Sequence, residues 1–225
     1  MKSAINITDL TVSYGQNDAL TNATLEIMEG EFVCIIGQNG GGKTTLLKTL
    51  LGFLKAESGE IKIFGKDISK CSTPLSYVPQ TTDIDRNFPI SVLEAVMTSF
   101  LNKRIVPFKR YTKSEKAKSL EILKTVGLEN HSKRQIGQLS GGEFQRLLIA
   151  RALGLDSKII LLDEPTASVD SETSDKIFNI LKEINKKGKT VVVVTHDISA
   201  AKKYADKIIC INREVVFSKR AEEIE

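Results

Sequence analysis

The chain has 225 residues, 41% of them hydrophobic and 27% charged, with a formal net charge of +4. That length can bury a sizeable core and suits one large domain, and the composition excludes disordered, fibrous and low-complexity classes. The longest apolar runs, Phe32 to Ile36 and Ile159 to Leu162, fall far short of the roughly 20 residues that span a bilayer, so no transmembrane segment is expected.

In chain order, Ile5, Ile7 and then Leu10, Val12 alternate with polar neighbours, and Leu20 to Met28 follows the turn-prone Gly15-Gln16-Asn17-Asp18. Two antiparallel strands are expected there. Phe32 to Ile36 is wholly apolar and ends in glycines, as suits a buried parallel strand feeding a loop. A helix is expected from Lys43 through Leu46, Leu47, Leu50 and Leu51, then strands in Gly59–Gly65 and in Pro74–Gln80, both in one mixed sheet. From about residue 91 to 153 the apolar residues recur at helical spacing, at Val92, Val96, Leu120, Leu123, Val126, Phe144, Leu147 and Leu148. This predicts an inserted helical subdomain. Strand signals return at Lys158–Asp163, Thr190–Thr195 and Lys207–Ile211, separated by helices such as the one carrying Ile177, Ile180, Leu181 and Ile184. Alternating strand and helix implies a parallel sheet with covering helices. The expected fold class is α/β, a single domain over 1–225, with its core in 1–82 and 154–225 and a helical subdomain in 83–153.

Three scattered cysteines, Cys34, Cys71 and Cys210, match neither a disulfide framework nor a C-x-x-C metal site. The basic run from Lys103 to Lys118 reads as a solvated face, and His131, in no motif, as a surface residue. The opening MKSAINITDL lacks the apolar stretch of a secretory signal, so a cytosolic chain is expected.

The segment Gly37-Gln38-Asn39-Gly40-Gly41-Gly42-Lys43-Thr44-Thr45 matches G-x-x-x-x-G-K-[ST] between an expected strand and an expected helix. Glycines let successive N–H groups turn inward around phosphate, and the helix adds its positive end. Lys43 is placed to reach the β and γ phosphates, Thr44 to ligate Mg²⁺, and Thr45 to lie near the α phosphate. A triphosphatase also needs a carboxylate at the end of a buried strand, which Ile159-Ile160-Leu161-Leu162-Asp163-Glu164 supplies. Asp163 would hold the metal through water, and Glu164 would act as general base.

With these two sites, the chain resembles the ABC ATPase family over nearly its whole length. The most specific piece is Leu139-Ser140-Gly141-Gly142-Glu143, whose Ser140 and Glu143 also have the spacing of a helix capping box. The resemblance implies a P-loop ATPase of ABC type with a mixed central sheet and an antiparallel β edge. It further implies that two ATP molecules with Mg²⁺ are sandwiched head to tail in a homodimer, each between the glycine loop of one protomer and Ser140, Gly141 and Gly142 of the other. It also implies that Tyr14 stacks on adenine, that Gln80 touches Mg²⁺ and senses a membrane partner, that Asp170 lies in the dimer-contacting loop, and that His196 holds the γ phosphate. Gln38 departs from the family's frequent proline, and Ser168-Val169 from the common Ala-Leu, without removing a required chemical group.

The stretch Asp83-Ile84-Asp85-Arg86-Asn87-Phe88-Pro89-Ile90-Ser91-Val92 resembles the subgroup that drives import of zinc, manganese or iron, and Gly142-Glu143-Phe144-Gln145-Arg146 leans the same way. The resemblance then implies a peripheral subunit on the cytoplasmic face of the membrane. Its partners would be an integral permease and, indirectly, a substrate-binding protein, with no nucleic acid. The loop after Gln80 and the helical insertion would form a groove for a short cytoplasmic helix of the permease. Rival readings are an exporter or lipid-transporter subunit, and a soluble ABC ATPase of ribosomes, DNA or iron–sulfur assembly. The chain shows neither the tandem domains nor the heptad insertion usual in such soluble members.

Overall fold

The computed structural model describes residues 2–15, 17–68, 75–80, 84–101 and 111–224. Cys71, Asp83 and half of the Lys103–Lys118 run fall outside these. Strands β1 (Ser3–Tyr14) and β2 (Asn17–Met28) form the expected antiparallel pair. The phase jump in the apolar pattern, from Ile5 and Ile7 to Leu10 and Val12, is a bulge: the register shifts between Ile7 and Leu10, and Asp9 takes a left-handed φ of 50°. All four apolar residues thereby stay on the buried face.

Strand β3 (Phe32–Ile36) leads into α1 (Lys43–Leu50), followed by β4 (Ser58–Ile63), β5 (Lys66–Asp67) and β6 (Leu75–Val78). The two strands expected to share one sheet separate. Strand β4 pairs with β1 in a four-stranded antiparallel sheet of order β2-β1-β4-β5, whereas β6 joins a second sheet. That second sheet also holds β7 (Ile159–Asp163), β8 (Thr190–Val194), β9 (Lys207–Asn212) and β10 (Glu214–Arg220), in the order β10-β9-β3-β8-β7-β6. It is mixed, parallel throughout except for β10, a strand the sequence pattern did not announce.

Between β6 and β7, the described residues form α2 (Val92–Met97), α3 (Lys113–Thr125) and α4 (Gly141–Gly154), packed on one another. The only strand-like pairing among them is an isolated bridge from Ser91 to Gln135. Each helix starts with a capping box, Ser91 with Glu94, Thr112 with Glu115 and Ser140 with Glu143. Leu120, read as part of an apolar face, is 38% exposed on α3. Helices α5 (Ser171–Lys186) and α6 (Ile198–Tyr204) cover the parallel sheet. Phe178 of α5 stacks on Tyr204 of α6 with ring centroids 5.2 Å apart.

The period of two along the parallel strands divides the interior into two cores. Phe32, Cys34, Ile160, Leu162, Val191 and Val193 face the helices α2, α4 and α5. Their neighbours Val33, Ile35, Ile159, Leu161, Val192 and Val194 face α1 and the antiparallel sheet. Being buried on both faces is why these strands read as unbroken apolar runs.

Candidate functional site

The loops leaving the carboxyl ends of β3, β6, β7 and β8 carry the site, as expected for ligands of open parallel sheets. After β3 the chain enters residues 37–42, and Gly42 caps α1 at a φ of 95°. A Cβ there would lie 2.5 Å from the Ala19 carbonyl oxygen and 2.6 Å from Leu20 Cδ2, so both the conformation and the crowding require glycine. No side chain caps α1, which leaves its leading N–H groups and positive end available to an anion.

Lys43 is only 6% exposed. Its Nζ donates to the carbonyl oxygens of Gly37 and Gln38, each at 2.8 Å, so the ammonium lies over the loop. The turn between β9 and β10 braces the same loop. The Arg213 N–H donates to the Gly41 carbonyl at 2.9 Å, and its carbonyl accepts from Thr21 at 2.8 Å. Since β10 was not foreseen, neither was this brace.

At the end of β7, Asp163 is 2% exposed. Its Oδ1 accepts from the Thr44 hydroxyl and its Oδ2 from the Tyr77 hydroxyl, both at 3.5 Å. Burial pushes the Asp163 carboxyl above the usual carboxylate range and the nearby Glu164 charge adds to this, against the pull of Thr44, Tyr77 and Lys43. Burial, with the Asp163 charge, pushes the Tyr77 phenol up to about 12, so it stays a neutral donor. Tyr77 was not foreseen, because its place beside Leu161 on β7 depends on the order of strands in the sheet.

Glu164 takes a left-handed φ of 45° immediately after the strand, its N–H donating to the Val194 carbonyl at 2.9 Å. For a residue with a Cβ this conformation costs about 1–2 kcal/mol. It presents the carboxylate to two groups: Oε2 accepts from Gln80 Nε2 at 2.9 Å and lies 3.5 Å from His196 Nδ1. Tyr14, Ala19, residues 39–45, Gln80 and Glu164 line one open cleft of about 490 Å³, within the range of small-molecule sites.

The structure thus brings together Tyr14, Asn39, Gly40, Gly41, Gly42, Lys43, Thr44, Thr45, Gln80 and Glu164. Asp163 and His196 join them through Thr44 and Glu164. It does not bring Ser140, Gly142 or Asp170 to that cleft. Ser140 caps α4 and Asp170 caps α5, accepting from the Thr173 N–H at 2.9 Å. Gly141 borders a different cavity, shared with Gln80 and Glu164. The expectation for His131 needs correction. It is packed against the start of α4, with Nε2 3.3 Å from Glu143 Oε1 and its side chain only 22% exposed.

Among the described residues no cluster of His, Cys, Asp and Glu is suited to hold a metal ion on its own, and no helix is long and apolar enough to cross a membrane. A family model described as ABC transporter matches residues 20–167. The manganese transport system ATP-binding protein MntB of Bacillus subtilis (strain 168) is 41% identical over 95% of this chain and 85% of its own length. The zinc transport system ATP-binding protein TroB of Treponema pallidum (strain Nichols) is 38% identical over 95% of this chain and 80% of its own. A solved dimeric ATP-binding cassette in a post-hydrolysis state, bound to ADP and phosphate, superposes with a TM-score of 0.81 at 33% identity. That match covers 96% of this chain and 98% of the other. The chain belongs to the ABC transporter family.

Proposed function

We propose that the chain is the ATP-hydrolysing subunit of an ABC transporter that imports a transition-metal ion, zinc, manganese or iron. The observation that carries the reading is the convergence of the glycine loop, Asp163, Glu164, Gln80 and His196 on one cleft. The loop and the start of α1 hold the phosphates of ATP, Lys43 answers their charge, and Tyr14, 49% exposed at the rim, takes the adenine face. The donor set fits Mg²⁺. Thr44 offers a hydroxyl, Asp163 a buried carboxylate acting through water, and Gln80 its carbonyl oxygen, because its amide N–H is already given to Glu164. Bound there, Mg²⁺ would neutralise charge on the β and γ oxygens.

Glu164 takes a proton from the water that attacks the γ phosphorus. The bond from that phosphorus to the bridging oxygen breaks, and ADP leaves with the electron pair. Gln80 and His196 hold the Glu164 carboxylate from two sides, and His196, largely exposed, can reach the γ phosphate.

Ser140, Gly141 and Gly142 are outside the cleft of their own chain, which suits their use on the ATP of a second copy arranged head to tail, with Asp170 at the contact. That a similar ATP-binding cassette is dimeric with ADP and phosphate bound supports the second copy. Residues 83–153 act as the helical subdomain. Where it meets the end of β6, an apolar groove along Pro79, Ile84, Thr98, Leu148 and Leu155 adjoins Phe88 and Ile90. It takes a short cytoplasmic helix of the permease, which holds the subunit at the cytoplasmic face of the membrane, while a substrate-binding protein delivers the ion from the other side. The names of the manganese and zinc relatives support the cargo class.

The test is capture from solubilised native membranes with full-length Glu164→Gln and ATP, which traps the closed dimer. Recovery of a multi-span permease, with loss of manganese, zinc or iron uptake when the chain is deleted, is the expected result. Recovery of ribosomal, DNA-repair or iron–sulfur assembly proteins without a permease would overturn the transport reading.

A further inference from the structure

Residues 84–92 are bound to the start of α4 and the stretch before it by contacts that the ATP chemistry does not use. Asp85 makes a tight turn, with Oδ1 accepting from the Asn87 N–H at 2.9 Å and its carbonyl from the Phe88 N–H at 3.1 Å. The turn presents Arg86. Its guanidinium carbon stands 4.1 Å from the centroid of the Phe144 ring, a cation–π distance. Phe144 follows Glu143 in the first turn of α4 and is 5% exposed. The backbones run close as well. A Cβ on Gly137 would lie 2.5 Å from the Arg86 carbonyl oxygen. The Ile136 N–H donates to the Ile90 carbonyl at 3.1 Å, and the Val92 N–H to the Arg134 carbonyl at 2.9 Å.

Phe144 is a wall of two cavities. One is lined also by Gln80, Arg86, Gly141 and Glu164, and the other is the apolar groove with Phe88 and Ile90. The Arg86–Phe144 contact therefore stands between the apolar groove and the cavity that holds Gln80, Gly141 and Glu164.

We propose that Arg86 is a positioning residue for ATP hydrolysis: stacked on Phe144, it makes residues 84–88 and the first turn of α4 move as one body. This rests on the ATPase reading above. Arg86 acts through others: it lines one cavity with Gln80, Gly141 and Glu164, and it reaches the start of α4 through Phe144. Because Arg86 is solvent-exposed, its replacement leaves the core intact. Because Lys43 and the glycine loop are untouched, the effect falls on turnover and not on ATP binding.

The experiment is a double-mutant cycle on the full-length chain, with steady-state hydrolysis of Mg·ATP and thermal unfolding measured in parallel. For Arg86→Ala, kcat is expected to fall about fivefold, the scale of one exposed cation–π contact, with KM for ATP within about twofold of the parent. Phe144→Leu, which keeps an apolar side chain but removes the ring, should give a similar fall, and the double variant should be no worse than either single one. Arg86→Lys, which keeps a cation over the ring, should recover part of the rate. An unchanged kcat in Arg86→Ala, or losses that multiply in the double variant, would overturn the proposal. So would a rate loss matched by a fall in unfolding temperature. Glu164→Gln in the same assay separates the two readings. If it is inactive while Arg86→Ala runs at the parent rate, only the role of Arg86 fails; if Glu164→Gln also runs at the parent rate, the general-base assignment fails as well; and if the parent itself does not hydrolyse Mg·ATP, the ATPase reading fails.

Discussion

Glu164 shows how much one residue position can be made to do. Its left-handed backbone would be relaxed by glycine, yet the position holds a carboxylate that Gln80 and His196 both address. Strain kept at a residue with such partners points to function. Replacement by Gln keeps the shape and removes the basic oxygen. The expected outcome is a kcat lower by about 10²–10³, the scale of general-base catalysis, with ATP affinity retained; hydrolysis and nucleotide-binding measurements on one preparation check it. Cys34, by contrast, is a residue without chemistry to offer. Burial pushes its thiol up to about 12, so the thiolate is not populated at neutral pH and the side chain acts as a small apolar filler.

Among the elements, the helices between β6 and β7 depend on their first turns. Ser91 accepts from the Glu94 N–H at 3.2 Å, and Glu94 Oε2 accepts from the Ser91 N–H at 2.9 Å. Ser91→Ala should cost about 1 kcal/mol, seen as a lower urea midpoint with an unchanged slope. The capping carboxylates also set an acid limit. The Ser91 hydroxyl and N–H hold the Glu94 carboxyl below its ordinary range, and the Ser140 N–H does the same for Glu143. Since both folded-state values are depressed, the stabilisation is complete above the ordinary carboxylate range and is lost as pH falls through the lowered values. Resistance to thermal unfolding should therefore fall as pH drops below the ordinary carboxylate range, and less steeply in a Glu94→Gln variant. Glu143 carries a further tie, because its Oε1 faces His131 while its Oε2 caps the helix. The start of α4 is thus gripped by His131 on one side and reached by Arg86 through Phe144 on the other.

On the scale of the whole molecule, strand order decides what meets what. Because β8 lies between β3 and β7, and β6 lies beyond β7, the glycine loop, His196, Glu164 and Gln80 emerge side by side although they are scattered from residue 37 to 196. A ligand held by loops from four strands stabilises the fold that aligns them. At a nucleotide concentration of 100 Kd the gain is about 2.7 kcal/mol, or roughly 5–10 °C in unfolding temperature for a chain of this size. The shift should be present in Glu164→Gln and absent in Lys43→Ala, whose ammonium is the buried cation of the loop. Differential scanning fluorimetry with ATP and EDTA, then with ATP and Mg²⁺, checks both and separates the contribution of the metal.

Much of this was legible in the residues alone. The glycine loop was legible because phosphate needs backbone donors at short spacing, and that spacing is local; the Asp163–Glu164 pair stood out because it ends a buried strand, and the use of Ser140–Gly142 was an expectation from family resemblance. The buried strands were legible because a strand covered on both faces is apolar throughout. Strand β10 was not, since only Val215 and Phe217 face inward while Val216, 61% exposed, blurs the alternation. Tyr77 and Arg213 were missed because their partners, Asp163 and Gly41, stand 86 and 172 residues away. The same holds for Arg86 on Phe144 and for the division of β4 and β6 between two sheets. The sequence by itself determined which groups could bind phosphate and take a proton; the tertiary structure decided which of them share a cleft, because strand order and cross-strand register follow from how two cores close on a common sheet.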